Sequence, residues 1–286
     1  MWHDGHVAMS SELAEKCERL ATGLAELQSV VVAFSGGADS TFLAVAARRV
    51  LGREQSHCVT AVSPSLAQRE EHDCRELAVL LDLQWTPVTT FEMERAAYRV
   101  NDTDRCYHCK AELMDVVAPL ALADGATVIL GVNCDDLSDH RPGQTAARER
   151  GAVFPLVDAG FSKSDVRAVS HHWDLPTWNK PAAACLASRI PYGTPVSVEI
   201  LSRVDRVEAA IVQAGFSTVR VRHYGETARL ELAVEELAAA VAQRDLIVSA
   251  VKSAGYRYVT LDLEGFRSGN LNGGTVVSSS EASERP

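Results

Sequence analysis

The chain has 286 residues, of which 47% are hydrophobic and 23% are charged, and its formal net charge is −10. This composition excludes a wholly disordered chain, and the acidic balance argues against nucleic acid as the main partner. No stretch approaches the roughly 20 apolar residues that span a bilayer, and the N-terminus lacks the layout of a signal peptide, so we expect a cytoplasmic protein without membrane contact.

The first half of the chain alternates between helical and strand-like patterns of hydrophobic residues. In chain order the pattern predicts helix 10–28, strand 30–34, helix 40–51, strand 58–62, helix 66–81, strand 85–88, helix 111–123 and strand 126–131. Continuous β-branched runs such as 30–34 are typical of strands buried on both faces of a parallel sheet. The prediction is therefore an α/β, doubly wound domain that binds ligands at the carboxyl ends of its strands.

The character of the sequence changes beyond residue 181. The pattern there predicts helix 198–214, strands 218–222 and 228–232, helix 234–254 and strand 257–263. We expect a large domain over 1–183 and a small α+β domain over 184–270. Residues 271–286 end in SSSEASERP and are predicted to be a disordered tail.

Residues 35–40, SGGADS, lie between the first predicted strand and the second predicted helix. Gly36 and Gly37 let the backbone approach an anion, and the N–H groups that begin a helix favour phosphate. Ser35 and Ser40 can donate to phosphate oxygens, and Asp39 is a candidate Mg²⁺ ligand. The alternative is a glycine turn in which Asp39 or Ser40 only caps the helix. The six residues resemble the PP-loop of N-type ATP pyrophosphatases, which implies ATP cleaved between its α and β phosphates; no Gly-Lys-Ser/Thr follows, as it would in a Walker loop.

Other residues are placed at the same predicted sheet edge. Gly131 begins the segment GVNCDD at the end of the fourth strand, and Asp135 or Asp136 is a candidate Mg²⁺ ligand, the alternative being a solvated loop acid. Ser63 follows the second strand and resembles the position that lines the adenine pocket in this superfamily. Lys163 is a candidate for stabilising the departing pyrophosphate, or else an exposed lysine at a helix start.

Three of the seven cysteines stand out by their context. Cys106 and Cys109 form a C-x-x-C, a spacing that suits one metal ion, one disulfide or a redox pair. Cys185 is flanked by small residues, with Arg189 and Lys180 nearby, which is compatible with a reactive thiolate or with an inert buried thiol. We expect the other four cysteines to be structural.

Six segments taken together resemble the LarE family of ATP-dependent sulfur transferases, which build the nickel-pincer nucleotide cofactor. They run in order from about residue 10 to 270 and comprise 35–40, 106–110, 133–143, 180–193, 219–225 and 261–269. The resemblance implies that ATP adenylylates a carboxylate of pyridinium-3,5-biscarboxylic acid mononucleotide. Sulfur then displaces AMP and leaves a thiocarboxylate.

The resemblance implies one of two sulfur sources. In one branch of the family the cysteine that Cys185 matches gives up its own sulfur. In the other branch three cysteines hold a 4Fe–4S cluster with an open iron. Because Cys106 and Cys109 are present beside Cys185, we expect the cluster and an external sulfide donor.

Arg220 and Arg222 alternate along a predicted strand, and we expect them, with Arg189, to contact the phosphate of the mononucleotide. The alternative is that they are solvated strand charges. The resemblance also implies a homo-oligomer. Competing functions are another PP-loop adenylating enzyme, such as a tRNA thiolase or an amide synthetase, and a non-catalytic nucleotide-binding module.

Overall fold

The structure is a computed structural model that describes residues 9–137, 142–181 and 184–267. It divides into two compact units. The first comprises Met1–Ala187 with Tyr192–Leu201, and the second comprises Ser188–Pro191 with Ser202–Pro286. The domain boundaries expected at 183 and 270 stay predictions, and the expected tail 271–286 lies outside the described residues.

The first unit is an α/β fold built on a four-stranded sheet. Its strands are β1 (Val30–Ala33), β2 (Ser56–Val62), β3 (Gln84–Thr89) and β4 (Thr127–Leu130). Its helices are α1 (Ser11–Leu27), α2 (Ala38–Leu51), α3 (Gln68–Leu80), α4 (Ala96–Val100), α5 (Arg105–Ala123), α6 (Pro142–Glu149), α7 (Pro155–Asp158) and α8 (Lys163–His172). The strand order is β3-β2-β1-β4, and every pairing is parallel, so the α/β prediction is confirmed.

Side chains of the central strand β1 enter two separate hydrophobic clusters. Val30 and Val32 pack in one cluster with residues of α1, α2 and α8. Val31 packs in the other with residues of α5. Because side chains alternate along a strand, the two clusters lie on opposite faces of the sheet, and helices cover both faces.

The fourth predicted helix begins earlier than its hydrophobic pattern indicated. We expected it to start at residue 111, but α5 begins at Arg105. The backbone carbonyl of Asp104 accepts hydrogen bonds from the N–H groups of Tyr107 and His108, which closes the first turn ahead of the periodic hydrophobic residues that begin at 111. Both cysteines of the C-x-x-C therefore lie at the start of a helix.

The second unit contains a three-stranded sheet made of β5 (Val219–Tyr224), β6 (Thr227–Leu232) and β7 (Tyr258–Leu261). β5 pairs antiparallel with β6, and β6 pairs parallel with β7. Helix α9 (Val198–Gln213) precedes the sheet, with its first turn grouped in the first unit. The single helix predicted over 234–254 is wrong, because the backbone leaves helical geometry at Gln243 and separates α10 (Leu237–Ala242) from α11 (Arg244–Ser253).

Among the described helices, none combines the length and the apolar character that crossing a membrane requires.

Candidate nucleotide and thiol site

The SGGADS segment forms a closed loop between β1 and α2. The Ser35 backbone N–H donates to Ser40 Oγ at 3.2 Å, and the two serine hydroxyls lie 3.0 Å apart. Ser40 Oγ also donates to the carbonyl of Gly37, 3.2 Å away. These bonds fold the loop around the first turn of α2, whose leading N–H groups lack partners within the helix. The loop is therefore suited to bind phosphate.

Gly36 is required by the shape of this loop. Its φ of +66° lies in the left-handed region, and a Cβ there would meet Cys74 Sγ at 3.0 Å. Cys74 is fully buried, and burial raises the pKa of its thiol to about 11. This thiol packs beneath the loop and is kept protonated, so it acts as a small apolar side chain.

The end of β4 lies directly against the first turn of α2. A Cβ on Gly131 would sit 2.9 Å from the carbonyl carbon of Asp39 and from the backbone nitrogen of Ser40. Two residues further on, the buried Asn133 donates from Nδ2 to Asp39 Oδ1 at 3.0 Å. Asn133 therefore fixes the Asp39 carboxylate at the carboxyl edge of the sheet.

Acids and a lysine surround Asp39. Its pKa is raised, mainly because burial disfavours the charged carboxylate and also because Asp136 is nearby, while Asn133 and Lys163 oppose the shift. Lys163 Nζ lies 3.0 Å from Asp136 Oδ1, and the Lys163 backbone N–H donates to Asp135 Oδ2 at 2.7 Å. The structure thus brings Lys163, Asp135 and Asp39 together at the start of α2.

The acids of this cluster fit a Mg²⁺ ion that reaches the site with a nucleotide. Magnesium is usually held by one or two carboxylates together with substrate phosphates. Asp39 and Asp136 interact electrostatically at the phosphate loop, and a dication between them would relieve their repulsion. The protein needs to supply only one or two carboxylate ligands, because phosphates and water complete the coordination shell.

Ser63, at the end of β2, is held by a buried acid. Its hydroxyl donates to Oε1 of Glu92, a residue with only 2% of its surface exposed. Ser63 Oγ also accepts the backbone N–H of Ser65 at 3.1 Å. This geometry orders the loop beyond β2 at the same sheet edge as the phosphate loop, while an adenine contact by Ser63 stays a prediction.

Ser65 connects this edge to the segment that carries Cys185. Its hydroxyl lies 2.6 Å from the hydroxyl of the buried Tyr98. Its carbonyl accepts the backbone N–H of Leu186 at 2.9 Å. Cys185, the residue before Leu186, is exposed. An exposed cysteine is therefore anchored at the carboxyl edge of the sheet.

The three singled-out cysteines are electrostatic neighbours. Cys106 is exposed and Cys109 is half-buried, and they lie three residues apart on α5, hence on one helix face. Burial raises the pKa of Cys109 to about 12, and the next contribution is the charge of an ionised Cys185, with Cys106 adding to it. The fold thus brings Cys185 into the neighbourhood of the C-x-x-C, which the sequence could not establish.

The fit of these cysteines to an iron–sulfur cluster is incomplete in the described conformation. Thiolates are the correct donors for such a cluster, and three of them leave one iron open. Among the described residues, however, no three Cys, His, Asp or Glu side chains are arranged closely enough to hold a metal ion. The donor chemistry fits, and the donor geometry does not.

The cations expected to act on Cys185 are engaged elsewhere. Lys180 Nζ lies 2.9 Å from Asp73 and 3.5 Å from Glu70. Arg189 makes a two-pronged pair with Glu208, with N–O distances of 2.9 and 3.0 Å, and both side chains are buried. Both cations are therefore held in ion pairs with carboxylates, and their action on Cys185 stays a prediction. Among the described residues, Arg105 is a further cation that interacts electrostatically with Cys185.

The predicted phosphate-binding arginines differ in their surroundings. Arg222 is buried and pairs with Glu231, which has no exposed surface, at 2.8 Å. Arg220 is half-buried, with its guanidinium 5.2 Å from the ring centre of Phe266. Buried paired charges are typical of structural ion pairs, so of the three predicted arginines Arg220 is the most accessible to a ligand.

Sequence reasoning assigned no role to four residues of this site. Asn133, Glu92, Tyr98 and Arg105 are buried, and each has a hydrogen-bond partner far along the chain. A position directly after a strand end was the only available signal, and it applied to Asn133 alone. Glu92 and Tyr98 lie in short helical segments, and Arg105 begins α5 ahead of the residues whose hydrophobic pattern predicted that helix, so the pattern gave no signal for these three.

The parallel sheet and the SGGADS loop at its carboxyl edge define a nucleotide-binding protein of the PP-loop class. Comparison with known proteins agrees, since residues 14–115 match the NAD synthase family. Over 261 residues the chain is 36% identical to pyridinium-3,5-bisthiocarboxylic acid mononucleotide synthase of Lactiplantibacillus plantarum, covering 91% of this chain and 95% of that protein.

Two further proteins also resemble the chain over most of its length. The protein slr1717 of Synechocystis sp. is 44% identical over 263 residues, which is 91% of this chain and 98% of that protein. The protein MJ0830 of Methanocaldococcus jannaschii is 23% identical over 242 residues, which is 84% of this chain and 92% of that protein. The chain belongs to the LarE family of PP-loop enzymes, as its motifs indicated.

Proposed function

We propose that this chain is an ATP-dependent sulfur transferase that converts a carboxylate of pyridinium-3,5-biscarboxylic acid mononucleotide to a thiocarboxylate. The observation that carries the proposal is the hydrogen bond from Leu186 N–H to the Ser65 carbonyl. It anchors the exposed Cys185 at the sheet edge where the phosphate loop lies. The relative from Lactiplantibacillus plantarum is named as a synthase of the corresponding bisthiocarboxylic acid.

The first stage activates the substrate. A carboxylate oxygen attacks the α-phosphorus of ATP, and the bond from that phosphorus to the bridging oxygen breaks as pyrophosphate leaves with the electron pair. The N–H groups at the start of α2 and the hydroxyls of Ser35 and Ser40 bind phosphate oxygens. Lys163 offsets the charge on the pyrophosphate, and Asp39 with Asp135 or Asp136 would hold the Mg²⁺ that enters with ATP.

The second stage replaces oxygen by sulfur. A sulfur nucleophile attacks the acyl carbon of the adenylate, and the carbon–oxygen bond to AMP breaks. An acyl-adenylate is a good electrophile whereas a carboxylate is a poor one, so the order of the two stages follows from their chemistry. Cys185 is exposed and lies on the side of the fold where the adenylate forms.

The sulfur source we propose is a 4Fe–4S cluster on Cys106, Cys109 and Cys185. These three thiolates would hold the cluster, which would supply the sulfide. Three neighbouring thiols favour it. Among the described residues, however, these thiols are not arranged closely enough to hold a metal ion, which favours a second source, the Cys185 sulfur itself. In that route Cys185 forms a thioester with the substrate; loss of its α-proton to a base and cleavage of its Cβ–S bond then leave dehydroalanine and the thiocarboxylate.

We further propose that Arg220, with Arg189 and Arg222 in supporting ion pairs, contributes to binding the mononucleotide phosphate. Guanidinium groups match phosphate geometry, and Arg220 is the most accessible of the three. We also propose that the protein forms a homo-oligomer in the cytoplasm and that it receives sulfide from a separate donor. Light scattering at several protein concentrations tests the oligomer.

Release of pyrophosphate separates the proposed function from its competitors. The purified chain is incubated with ATP and Mg²⁺ and with the biscarboxylic mononucleotide, tRNA or single amino acids. Release with the mononucleotide alone supports the proposal, release with tRNA or an amino acid indicates another PP-loop adenylating enzyme, and binding of ATP without any release indicates a non-catalytic module. Ser40→Ala is expected to lower release about tenfold or more. Ser197→Ala, which removes a comparable hydroxyl that caps α9, is the matched control.

Iron content and protein mass separate the two sulfur sources. Anaerobically reconstituted protein with iron, acid-labile sulfide and broad visible absorption supports the cluster if Cys106→Ser abolishes them. Cys134→Ser, which changes a half-buried cysteine outside the trio, should leave them unchanged. Iron-free protein that loses one H₂S in mass during turnover would replace the cluster with Cys185 as the donor.

A further inference from the structure

Arg105 is a buried cation at the start of α5. Only 4% of its surface is exposed, and it directly precedes Cys106. Its Nη1 donates to the side-chain oxygen of Asn101 and, at 2.9 Å, to the carbonyl of Ala187. Its guanidinium lies 5.5 Å from the ring centre of Tyr192.

The electrostatic neighbours of Arg105 are unusual for a buried arginine. The strongest of them are Cys185 and Cys106, followed by Tyr98 and Tyr192. Within the described residues, its guanidinium makes no ion pair with a carboxylate. Keeping a charge in the interior without a carboxylate partner is costly, so another group must offset that cost.

The hydrogen bonds of Arg105 belong to a set that fixes the chain after Cys185. Asn101 Nδ2 donates to the Thr194 carbonyl at 2.8 Å, and the Gly193 N–H donates to the Asn101 carbonyl at 3.0 Å. The Val196 N–H donates to the carbonyl of Arg99 at 2.9 Å. We call these contacts, with those of Arg105 to Ala187 and of Ser65 to Leu186, the 186–196 clasp.

The contacts that define the clasp lie within the first compact unit, and they connect the two chain segments that carry the three cysteines. One side is the turn between α4 and α5, which leads into Cys106 and Cys109. The other side is the segment that follows Cys185. Arg105 contributes a charged side chain to the clasp, whereas Arg99 contributes only its backbone carbonyl, and the Arg105 guanidinium contacts Ala187, two residues after Cys185.

We propose that Arg105 is a positioning residue for sulfur delivery: its guanidinium holds the Cys185 segment against the start of α5 and places a positive charge beside the sulfur that is transferred. The proposal rests on the proposed function, in which Cys185 takes part in sulfur transfer. Attacking or departing sulfur is anionic, so a fixed cation stabilises it where it reacts. The same cation has no role in the earlier attack on ATP.

The test uses the full chain and the variants Arg105→Gln and Arg105→Lys. Arg99→Gln is the matched control, because Arg99 belongs to the clasp through its backbone carbonyl alone, and its exposed side chain, among the described residues, donates to the carbonyls of Met93 and Glu94. The first readout is the thiocarboxylate formed per pyrophosphate released. The second is hydrogen exchange of the amides of Leu186, Gly193 and Val196 in the protein without ligands.

For Arg105→Gln we expect the product ratio to fall about tenfold or more, while substrate-dependent pyrophosphate release changes less than about threefold. The three amides should exchange about tenfold faster, because the clasp loses a charged donor. Arg105→Lys keeps the positive charge but lacks the planar guanidinium with its several N–H donors. Its product ratio should therefore lie between those of wild type and Arg105→Gln. Arg99→Gln should match wild type in both readouts.

An unchanged product ratio in Arg105→Gln would overturn the inference. A fall in pyrophosphate release as large as the fall expected for the product ratio would also overturn it, since that is the signature of a general folding defect. If Arg105→Gln does not fold, Arg105→Lys decides: wild-type product ratio and wild-type exchange together would also reject the inference. Wild-type protein that releases no pyrophosphate with the mononucleotide would instead reject the proposed function. In that case hydrogen exchange still tests whether Arg105 holds the segment.

Discussion

Gly131 lies against the backbone of Asp39 with no room for a side chain. A Cβ at position 131 would be 2.9 Å from the Asp39 carbonyl carbon, and the atoms it meets belong to the backbone rather than to a flexible side chain. The end of β4 and the first turn of α2 therefore touch through main-chain atoms. The phosphate loop and the acids after β4 are held in register by this contact.

Gly131→Ala is expected to push α2 and β4 apart by a few tenths of an ångström. Overpacking of this kind costs about 1–3 kcal/mol of stability. Displacement of the loop should lower pyrophosphate release about a hundredfold. The control is Gly23→Ala, since a Cβ at that helical position meets nothing within 4 Å. Gly23→Ala should keep full activity and raise stability slightly. Wild-type pyrophosphate release by Gly131→Ala would show that the close contact does not set the loop geometry.

Asp39→Asn should stabilise the protein without ligands while removing activity. The pKa of Asp39 is raised in the folded state, chiefly by burial, so the folded protein favours the protonated carboxyl. Its contribution to stability is fully present below the unfolded pKa of about 3.9 and is lost as the pH rises through the higher folded pKa. An asparagine keeps the hydrogen bond to Asn133 and carries no charge.

Thermal unfolding between pH 3 and pH 7 measures this effect. The variant should gain in melting temperature over wild type as the pH rises, and pyrophosphate release should fall about a hundredfold because a phosphate-side carboxylate is lost. A variant that melts below wild type at pH 7 would mean that Asp39 is stabilised as an anion by groups other than Asn133 and Lys163.

Features of the fold and the site could be predicted from the sequence where they depend on residues that are neighbours along the chain. The strand, glycine turn and helix at 30–51 could be predicted because each element has its own hydrophobic period. The pairing of Arg189 with Glu208 could not, since its partner is 19 residues away on another element and nothing local distinguishes it from a solvated charge. The role of Arg105 could not be predicted for the same reason, because its hydrogen-bond partner Ala187 lies 82 residues further along the chain.

Arg189→Met is expected to destabilise the protein by about 3–5 kcal/mol, because it leaves Glu208 as a buried charge without its partner. Glu208 also accepts the backbone N–H of Val221 at 2.9 Å, so Glu208→Gln retains an acceptor there. Combining Arg189→Met with Glu208→Gln should recover at least about 1 kcal/mol of stability relative to the additive sum. Urea unfolding of the single and double variants measures this coupling.

Arg257→Met serves as the control for this pair, since Arg257 and Glu226 form an exposed ion pair at 3.7 Å. Its loss should cost less than about 1 kcal/mol. If Arg189→Met is as mild as Arg257→Met, the buried pair is not structural, and direct binding of substrate phosphate by Arg189 becomes the better interpretation.

His223 should make the second unit sensitive to acid. Burial lowers its pKa, the positive charge of Arg203 adds to the effect, and Nδ1 lies 3.1 Å from the hydroxyl of Tyr256. A histidine whose folded pKa is depressed contributes stability above its unfolded pKa of about 6.5, and this stability is lost as the pH falls. His223→Gln cannot take up the proton, so its unfolding free energy should fall less between pH 7 and pH 5, by at most about 1.4 kcal/mol per pH unit.

Tyr256→Phe distinguishes protonation of His223 from loss of its hydrogen bond. Burial raises the pKa of Tyr256 to about 12, so this residue stays protonated throughout the range. The variant should therefore lower the unfolding free energy by about 1 kcal/mol at every pH and keep the wild-type slope. If His223→Gln also keeps the wild-type slope, protonation of His223 does not drive the acid sensitivity of the second unit.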